Sequence, residues 1–365
     1  AKERNVRRRP LYTWVYCCFD RRTISCDGFV QAIISMSSVE MIPVTEDEIG
    51  MRVDRWFKQH YPDLKHGRLE KLLRTGQIRI DRSRVKANAR LCEGQEIRIP
   101  PVVQRNIKST KANLSSNITK KDIEMIKESI IHMDNNILAI NKPAGLAVQG
   151  GSRIVNNLDS MLDFLKFDAD ERPRLVHRLD KDTSGVLILA RQRKSAAVLS
   201  EAFRTHKARK VYWAIVLGVP RPTVGLVELP LVKKRGLGGD KVVVDGEGKR
   251  AITRYRVIDN AARKAAWLSL EPLTGRTHQL RVHCNELGTP ILGDRKYGHS
   301  SEFFNNIPEN KRRLQLHAKG IRIPNPSGGI LEILAPLPKH MVQIWQIFGF
   351  NEHQKGDLFL GDGGN

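Results

Sequence analysis

The chain has 365 residues, of which 28% are charged and 40% hydrophobic, a balance typical of a folded protein of two or three domains. Its 62 Lys and Arg against 39 Asp and Glu give a formal charge of +23, which attracts polyanions and makes nucleic acid the first partner to consider. An acidic membrane surface is the alternative that charge leaves open. No apolar run approaches the roughly 18 residues of a membrane span, so we expect no membrane partner.

The first segment, residues 1–47, contains Arg7, Arg8 and Arg9 but lacks the continuous apolar centre of a secretory signal. We expect a poorly ordered basic extension, with an organellar transit peptide as the alternative. The five cysteines show neither paired metal spacing nor a disulfide framework. We therefore expect no metal site, a monomer, and a reducing compartment, which is the bacterial cytoplasm or, as the alternative, an organellar matrix.

Residues 48–105 are predicted to form a compact basic module that contains two helices. Val53 and Trp56 fall at helical spacing, and a second helix opens near Leu64 and stops before Gly76, a residue able to adopt positive φ. The leucines of the second helix are predicted to face inward. Four cationic residues are predicted to face outward: Lys65, Arg68, Lys71 and Arg74.

Three strand-like pieces follow this helix, at residues 77–81, 84–88 and 94–100. A small two-helix unit with a cationic face suits a phosphate backbone, because such contacts position a protein on RNA and carry little sequence information. The segment resembles an S4 RNA-binding module, which implies an RNA-binding role for the four outward cations. A solvated charged face on a small domain is the alternative. S4-like modules occur in unrelated RNA proteins, so this one indicates RNA rather than a reaction.

A polar linker is predicted over 106–121, a larger α+β domain over 122–350 and a Gly-rich tail over 351–365. The stretch 137–151 is predicted to be a buried strand followed by a Pro/Gly turn, and the apolar or alternating segments 186–190, 208–218 and 248–257 are further predicted strands. Their alternation favours a mixed, mostly antiparallel central sheet. The stretch QLRVHCNEL (279–287) is predicted to be helical.

The segment RLVHRLDKDTSG (174–185) places a charged loop before an apolar strand, and loops anchored by a rigid strand are common sites of catalysis. By its own chemistry Asp180 is either a catalytic carboxylate or a structural turn residue. His177 and His283 are more typical of satisfied structural polar groups than of acid–base groups. TGRTHQLRVH (274–283) lacks a metal-ligand carboxylate at helical spacing, which disfavours a metal hydrolase.

Four motifs in chain order resemble those of the RluA family of pseudouridine synthases: HRLDKDTSG (177–185), KVY (210–212), TGRTHQLRVH (274–283) and ILGDRKYG (291–298). The resemblance implies a pseudouridine synthase fold and isomerisation of uridine in RNA without a cofactor. An N–C glycosidic bond breaks, the uracil rotates, and a C–C bond forms. The S4-like module and the RVDRWF opening (52–57) are most similar to the large-subunit (23S-type) ribosomal RNA branch. Ribosomal RNA, free or in a pre-ribosomal particle, is therefore the implied partner.

The resemblance also places the family's functional residues on this chain. Asp180 matches the catalytic aspartate, which acts as a nucleophile on the sugar or as a base at C2′, and the sequence does not choose between these routes. Arg178 matches the residue that takes the place of the flipped uridine in the RNA stack. Tyr212 matches the tyrosine that stacks on the uracil and has been assigned the late removal of the C5 proton. Arg281 matches the basic residue that pairs with the aspartate and keeps it ionised.

Leu280 and Ile188 are predicted to form the apolar wall behind the base, and Arg276 and His177 are the remaining predicted substrate-binding residues. The alternatives are that the two arginines of TGRTHQLRVH only bind phosphate and that Tyr212 is a packed strand aromatic. At the level of function, the alternatives are the same chemistry on tRNA or another RNA, and a non-catalytic RNA-binding or ribosome-assembly protein.

Overall fold

The computed structural model describes these parts of the chain: residues 39–61, 64–104, 118–150, 156–234, 240–298, 312–352 and 358–359. The chain divides into two compact units, Ala1–Ser116 and Asn117–Asn365, and each is described by itself. Most of the predicted extension (1–47), linker (106–121) and tail (351–365) lies outside the described residues, so the bounds of the linker and tail stay predictions.

The first unit builds one apolar core from helices and a small sheet. Its elements are α1 (Val53–His60), α2 (His66–Arg74), α3 (Pro101–Gln104), β1 (Glu40–Pro43), β2 (Arg79–Ile80) and β3 (Glu96–Ile99). The strands form an antiparallel sheet in the order β1–β3–β2. Trp56 and Phe57 of α1 and Ile97 of β3 are buried together in the core. This small α/β unit contains the two helices predicted for residues 48–105, and its likeness to an S4 module stays a prediction.

Helix α2 is amphipathic, as the sequence predicts. Leu69, Leu72 and Leu73 are buried in the core of the unit. The four predicted outward cations are all exposed: Lys65, Arg68, Lys71 and Arg74. The helix ends at Arg74, and Gly76 follows with φ +71°, a left-handed conformation that glycine adopts freely. The helix therefore presents its positive charge to solvent while its leucines hold it to the core.

Two segment predictions in this unit are wrong. Residues 84–88 do not form a strand; they run beside the start of α1, where the Ala87 carbonyl accepts a hydrogen bond from the Asp54 N–H at 2.9 Å. The first amides of a helix lack partners within it, so this segment completes the helix start. The predicted extension also ends too late, because Glu40–Pro43 pairs with β3 as the edge strand β1.

The second unit is built on one large sheet. Its strands are β4 (Ile130–Met133), β5 (Ile137–Lys142), β6 (Arg174–Leu175), β7 (Ser184–Ala190), β8 (Arg209–Leu217), β9 (Val224–Lys234), β10 (Lys241–Val244), β11 (Lys249–Ala261), β12 (Ala265–Pro272), β13 (Leu316–Pro324) and β14 (Ile330–Leu334). They follow the order β10–β9–β11–β12–β8–β13–β7–β5–β4, with β14 beside β13 and β6 beside β7. Among these strands, β13 and β7 pair in parallel and the other pairs are antiparallel. The predicted mixed, mostly antiparallel sheet is confirmed.

Helices cover this sheet with their apolar sides. They are α4 (Lys120–Glu128), α5 (Leu158–Met161) with a following 3-10 turn (Leu162–Leu165), α6 (Arg193–Arg204), α7 (Gln279–Glu286) and α8 (Lys339–Phe348). Helix α4 begins with a capping box, in which the Thr119 hydroxyl accepts from the Asp122 N–H at 3.2 Å. Trp345 of α8 packs edge-on against Trp267 of β12, with ring centroids 5.6 Å apart. The helix predicted at 279–287 is confirmed as α7.

The start of β7 is fixed by its parallel contact with β13. Gly185 has φ +111°, and a Cβ atom built on it would lie 2.2 Å from the Ala318 carbonyl oxygen, so only glycine fits at this crossing. The neighbouring Ser184 hydroxyl lies 2.9 Å from Nδ1 of His317. Burial lowers the pKa of His317 to about 3, so this link is made by a neutral imidazole. The loop that precedes β7 therefore has a rigid end.

Candidate active site

The loop between β6 and β7 carries Asp180 and is tied to the end of β5 by a buried lysine. Lys142 is fully buried, and its Nζ donates to the carbonyl oxygens of Pro143 and Leu146 at 2.9 Å each and of Lys181 at 3.1 Å. Burial lowers the pKa of Lys142 to about 7, against the opposing effect of Asp182 and Asp180. The loop is thus held by the Lys142 side chain as well as at its junction with β7.

A pocket of about 280 Å³ opens beside this loop, at the lower end of the range of roughly 300–1,000 Å³ for small-molecule sites. Four separate parts of the second unit line it: the β6–β7 loop, the end of α6 with the start of β8, the segment from the end of β12 into α7, and the start of β13. Seven of the eight predicted catalytic and substrate-binding residues lie on its wall: His177, Arg178, Asp180, Tyr212, Arg276, Leu280 and Arg281.

Sheet register explains how Tyr212 comes near the loop. Tyr212 of β8 pairs with Ala318 of β13, which pairs in turn with Gly185 at the start of β7. The side chain is half-buried, and burial together with the negative charge of Asp180 raises its pKa well above the ordinary value for tyrosine. Tyr212 is therefore a neutral phenol at physiological pH, and its ring borders the pocket rather than lying wholly in the core.

Asp180 presents a half-buried carboxylate to the pocket, with 23% of its side chain exposed. The loop turns tightly behind it, because the Thr183 N–H donates to the Asp180 backbone carbonyl at 3.2 Å. The nearest ring nitrogen is Nε2 of His278, which lies 3.9 Å from its Oδ2. The carboxylate is thus accessible from the pocket while its backbone is held in place.

The predicted direct pair between Arg281 and Asp180 is wrong in this structure. Arg281 instead donates from Nε and Nη2 to the two carboxylate oxygens of Asp294, at 2.7 and 2.6 Å, in a buried bidentate pair. Its guanidinium also lies over the ring of Tyr297, 5.1 Å from the centroid. Burial lowers the pKa of Arg281, but the hydrogen bonds and charge of Asp294 outweigh that effect, and Asp180 adds to the rise. The cation is fixed beside the pocket by a different carboxylate.

The placement of Ile188 in the wall behind the base is also wrong. Side chains alternate across β7, and Ile188 points to the face packed against α6, where Leu199 and Ala202 lie. Its backbone N–H donates to Nε2 of His177 at 2.8 Å. Leu280 does line the pocket as predicted, and the apolar part of the wall is completed by other residues that the prediction missed: Leu179, Phe203 and Leu316.

His177 has the surroundings of a structural polar group. Its ring stacks on Phe203 with centroids 4.3 Å apart, and burial, with a smaller contribution from Lys210, lowers its pKa to about 3. His283, the other histidine of the motifs, is also buried, which lowers its pKa to about 4. Neither ring is placed to titrate near neutral pH. His177 is a satisfied structural group, as expected, but both ring nitrogens of His283 are buried without a hydrogen-bond partner among the described residues, so the expectation that it is satisfied is wrong.

Arg178 and Arg276 are exposed at the edge of the pocket. The Arg276 Nε donates to the Arg250 carbonyl at 3.1 Å, and its backbone N–H donates to Oε1 of Gln279 at 3.0 Å. Arg276 is therefore held against the sheet, whereas Arg178 projects from the loop that carries Asp180. Their roles in RNA binding stay predictions.

The sequence reasoning missed three polar residues around the pocket, namely Asp294, Tyr297 and His278. Asp294 also accepts from the N–H groups of Lys296 and Tyr297, at 2.9 and 3.0 Å, and so shapes the ILGDRKYG turn. An Asp followed by a turn is a recognisable local signal. Its pairing with Arg281 carries no such signal, because it depends on how α7 and the turn pack.

No group of three or more His, Cys, Asp or Glu side chains suited to a metal ion occurs in the described ranges. Within the same part of the chain, no helix is long and apolar enough to cross a membrane.

Comparison with known proteins agrees with this pocket. Residues 136–286, which include Asp180, Tyr212 and Arg281, match the family model described as RNA pseudouridylate synthase. The chain is 35% identical over 314 residues to "Ribosomal large subunit pseudouridine synthase C" of Escherichia coli (strain K12), covering 85% of this chain and 96% of that protein. The chain belongs to the RluA family of RNA pseudouridine synthases.

Other relatives of this pseudouridine synthase give the same result. A protein of the same name from Vibrio cholerae is 34% identical over 308 residues, with 84% of this chain and 96% of that protein covered. The solved structure of human RNA pseudouridylate synthase domain containing 4 superposes with a TM-score of 0.53 and 31% identity, over 62% of this chain and 95% of that chain. The chain is therefore an enzyme of RNA modification, an isomerase that forms pseudouridine.

Proposed function

We propose that this pseudouridine synthase modifies specific uridines of large-subunit ribosomal RNA, with Asp180 as its catalytic carboxylate. The observation that carries the proposal is one pocket in which Asp180, Tyr212 and Arg281 meet although they come from three separate segments. Curated bacterial relatives that match over nearly their whole length are named for the large ribosomal subunit, which supports this substrate and a cytoplasmic site of action.

The uridine has to leave the RNA stack before it can react, because the glycosidic bond is inaccessible within stacked bases. Arg178 is exposed at the pocket edge, two residues before Asp180. A long cationic side chain there fills the gap left by the base while Asp180 meets its sugar. The pocket volume suits a single flipped nucleoside.

Asp180 then acts on the sugar in its ionised form. As a nucleophile it bonds to C1′ while the C1′–N1 bond breaks and the electron pair leaves with the uracil; as a base it takes the C2′ proton and the same bond breaks. After the uracil rotates, C5 bonds to C1′ as the Asp180–C1′ bond breaks in the first route, or as C2′ takes back its proton from Asp180 in the second. In both routes C5 then loses its proton and N1 gains one. The Arg281 guanidinium, held by Asp294, lies on the pocket wall without a hydrogen bond to this carboxylate.

Tyr212 is suited to stack on the uracil during that rotation. Its raised pKa keeps it a neutral phenol in the resting enzyme, which supports a role as a platform rather than a resting base. Leu280 and Leu316 supply apolar contacts beside it. A ring and aliphatic side chains hold a base while leaving it free to turn.

The first unit contributes RNA affinity in this proposal. Its α2 helix exposes Lys65, Arg68, Lys71 and Arg74. Exposed cations on one helix suit phosphate contacts, which are independent of sequence and sensitive to salt. The unit binds the RNA backbone, and the pocket of the second unit selects the uridine.

Mapping of pseudouridine in ribosomal RNA from cells with and without the gene tests this function. We expect one or a few large-subunit pseudouridines to disappear in the deletion, to return with the wild type and to stay absent with Asp180→Asn. Asp182→Asn is the matched control, because Asp182 is an exposed aspartate of the same loop that does not line the pocket, and it should restore the modification. Unchanged ribosomal RNA in the deletion would contradict the proposed substrate, and rescue by Asp180→Asn would contradict the proposed residue.

A further inference from the structure

His278 lines the pocket and has a backbone conformation that residues other than glycine rarely adopt. It lies at the N-terminal boundary of α7 with φ 52° and ψ 19°, in the left-handed region. A residue other than glycine keeps this conformation only where its surroundings require it, and such residues cluster at functional sites. The conformation aims the imidazole into the pocket just before Gln279, the first residue of α7, and so places a polar ring opposite the loop that carries Asp180.

A buried tyrosine sets the orientation and tautomer of this ring. Nδ1 of His278 lies 2.8 Å from the hydroxyl of Tyr297, whose oxygen also accepts from the Val242 N–H at 3.0 Å. The phenol keeps its own proton to donate while it accepts from Val242, and Nδ1 is the acceptor among its described contacts, so we assign the hydroxyl proton to Nδ1. The ring proton of the neutral imidazole then resides on Nε2.

The nitrogen that carries this proton faces the catalytic carboxylate. Nε2 of His278 lies 3.9 Å from Oδ2 of Asp180, about 1 Å longer than an ordinary hydrogen bond. Hydrogen bonds between active-site groups are often long before substrate binds and shorten in the complex. A small movement of either side chain when a uridine enters would therefore bring the donor to the carboxylate.

We propose that His278, held by Tyr297, is a positioning residue that orients the Asp180 carboxylate through Nε2–H when uridine is bound. This inference rests on the proposed role of Asp180. A donor on Oδ2 directs Oδ1 toward the sugar, and it replaces the water that a half-exposed carboxylate loses when the nucleoside fills the pocket. The proposal assigns a function to the ILGDRKYG motif as well, because that turn supplies Tyr297.

The surroundings keep the imidazole neutral, as this role requires. Burial lowers the pKa of His278, and the positive charges of Arg281 and Lys296 act in the same direction. Asp180 and Asp294 oppose them, and the net result is a pKa below the ordinary value. The neutral ring can donate from Nε2 at pH 7 without changing its charge during turnover.

The test compares two substitutions at His278 that differ in their ability to donate a hydrogen bond. His278→Gln keeps an amide N–H at nearly the reach of Nε2, whereas His278→Leu removes the donor and keeps comparable bulk. With large-subunit ribosomal RNA from cells lacking the gene as substrate, we expect His278→Leu to lower kcat by roughly 10- to 100-fold, as for a lost hydrogen bond to a charged group, with KM unchanged. His278→Gln should recover a large part of that loss. A merely structural histidine would not distinguish Gln from Leu in this way.

Tyr297→Phe gives a second, independent test. It removes the hydroxyl that contacts His278 and keeps the ring under Arg281, so the core packing is retained. We expect a smaller fall in kcat than for His278→Leu, and we expect the double variant to be no slower than His278→Leu, because both changes act through one hydrogen bond. His132→Leu is the matched control, since His132 also faces an aspartate, Asp134 at 3.1 Å, but lies on β4 outside the pocket.

Three outcomes overturn the inference: wild-type kcat in His278→Leu, equal losses in the Leu and Gln variants, or additive losses in the double variant. Asp180→Asn is assayed alongside them on the same RNA. An inactive wild type, or an active Asp180→Asn, would show that the proposed function itself has failed. A loss confined to Asp180→Asn would leave that function standing and refute only the role of His278.

Discussion

Charged side chains do different work in the two units of this enzyme. Near the pocket two cations are buried and held by specific partners, Lys142 by three carbonyl oxygens and Arg281 by Asp294. On α2 the cations are exposed and project into solvent. Chemistry on a single C–N bond needs fixed geometry, whereas contact with a phosphate backbone tolerates movement. Substitutions should therefore act on turnover and folding in the first case and on affinity and salt dependence in the second.

The largest effect should come from Asp180→Asn. The amide cannot act as nucleophile or base, so we expect turnover to fall by about 10⁴-fold or more. RNA affinity and the free energy of unfolding should change little, because the side chain is partly exposed and other groups bind the RNA. Single-turnover assays and filter binding on the same preparation measure both. An equal loss of RNA affinity would contradict the view that Asp180 acts in the reaction and not in RNA binding.

The next largest effect should come from removing one partner of the buried Arg281–Asp294 pair. Asp294→Ala leaves the Arg281 guanidinium buried without a counter-charge, and we expect a loss of about 3–5 kcal/mol in the free energy of unfolding. Urea denaturation measures it. The double variant Arg281→Met/Asp294→Leu should recover the part of this stability that is due to charge burial, although the Lys296 and Tyr297 N–H groups still lose their acceptor, and it should remain inactive because the Arg281 cation is gone. If the double variant is as unstable as the single one, charge burial is not the cause.

The buried histidines of the second unit should make the protein less stable in acid. The pKa values of His317 and His283 are lowered by burial to about 3 and about 4, below the ordinary value of about 6.5. The unfolded chain binds these protons first, so stability is full above about pH 6.5 and falls toward pH 4, by at most about 1.4 kcal/mol per pH unit for each histidine. Urea denaturation at pH 7.5 and 5 should show a smaller pH difference in His317→Gln. Exposed His66→Gln in the first unit is the control and should keep the wild-type difference.

The smallest effects should come from the exposed cations of α2. Lys71→Ala and Arg74→Ala should each reduce the slope of log affinity against log salt by about 1 and leave kcat on bound RNA unchanged. Their free energies of unfolding should stay within about 0.5 kcal/mol of the wild type. Titration of RNA binding over a range of salt measures this, with exposed Glu70→Ala on the same helix as the control. An unchanged slope of log affinity against log salt would contradict an RNA-binding role for this helix.

Local patterns in the sequence predicted much of this fold. Leucines three and four residues apart predicted α2, and alternation of apolar and polar residues predicted the long strands of the sheet. The helical pattern of one motif predicted α7. The strand predicted at 84–88 failed because its pattern is local, whereas its backbone serves the start of α1. Of the eight residues that family resemblance predicted to be catalytic or substrate-binding, seven line one pocket, and their roles stay predictions.

Contacts between distant segments were beyond the same reasoning. Ile188 was assigned to the wrong face of β7, because the sequence of a strand buried on both sides does not say which side faces the pocket. The partner of Arg281 is Asp294 rather than Asp180, and that choice depends on how α7 packs against the following turn. His278 gave no signal in the sequence, since its conformation and its contact with Tyr297 exist only in the folded chain.

The parallel contact between β7 and β13 has a consequence for the newly made protein. The loop that carries Asp180 emerges from the ribosome well before β13, since Ser184 and its partner His317 are separated by 133 positions. Until β13 is synthesised, Gly185 lacks its pairing partner Ala318. Tyr212 also pairs with Ala318, so the register that brings Tyr212 near the loop cannot form before then. The site is therefore assembled late, and contacts between such distant segments form slowly. An unfinished chain could bind RNA through its first unit before it is able to modify it.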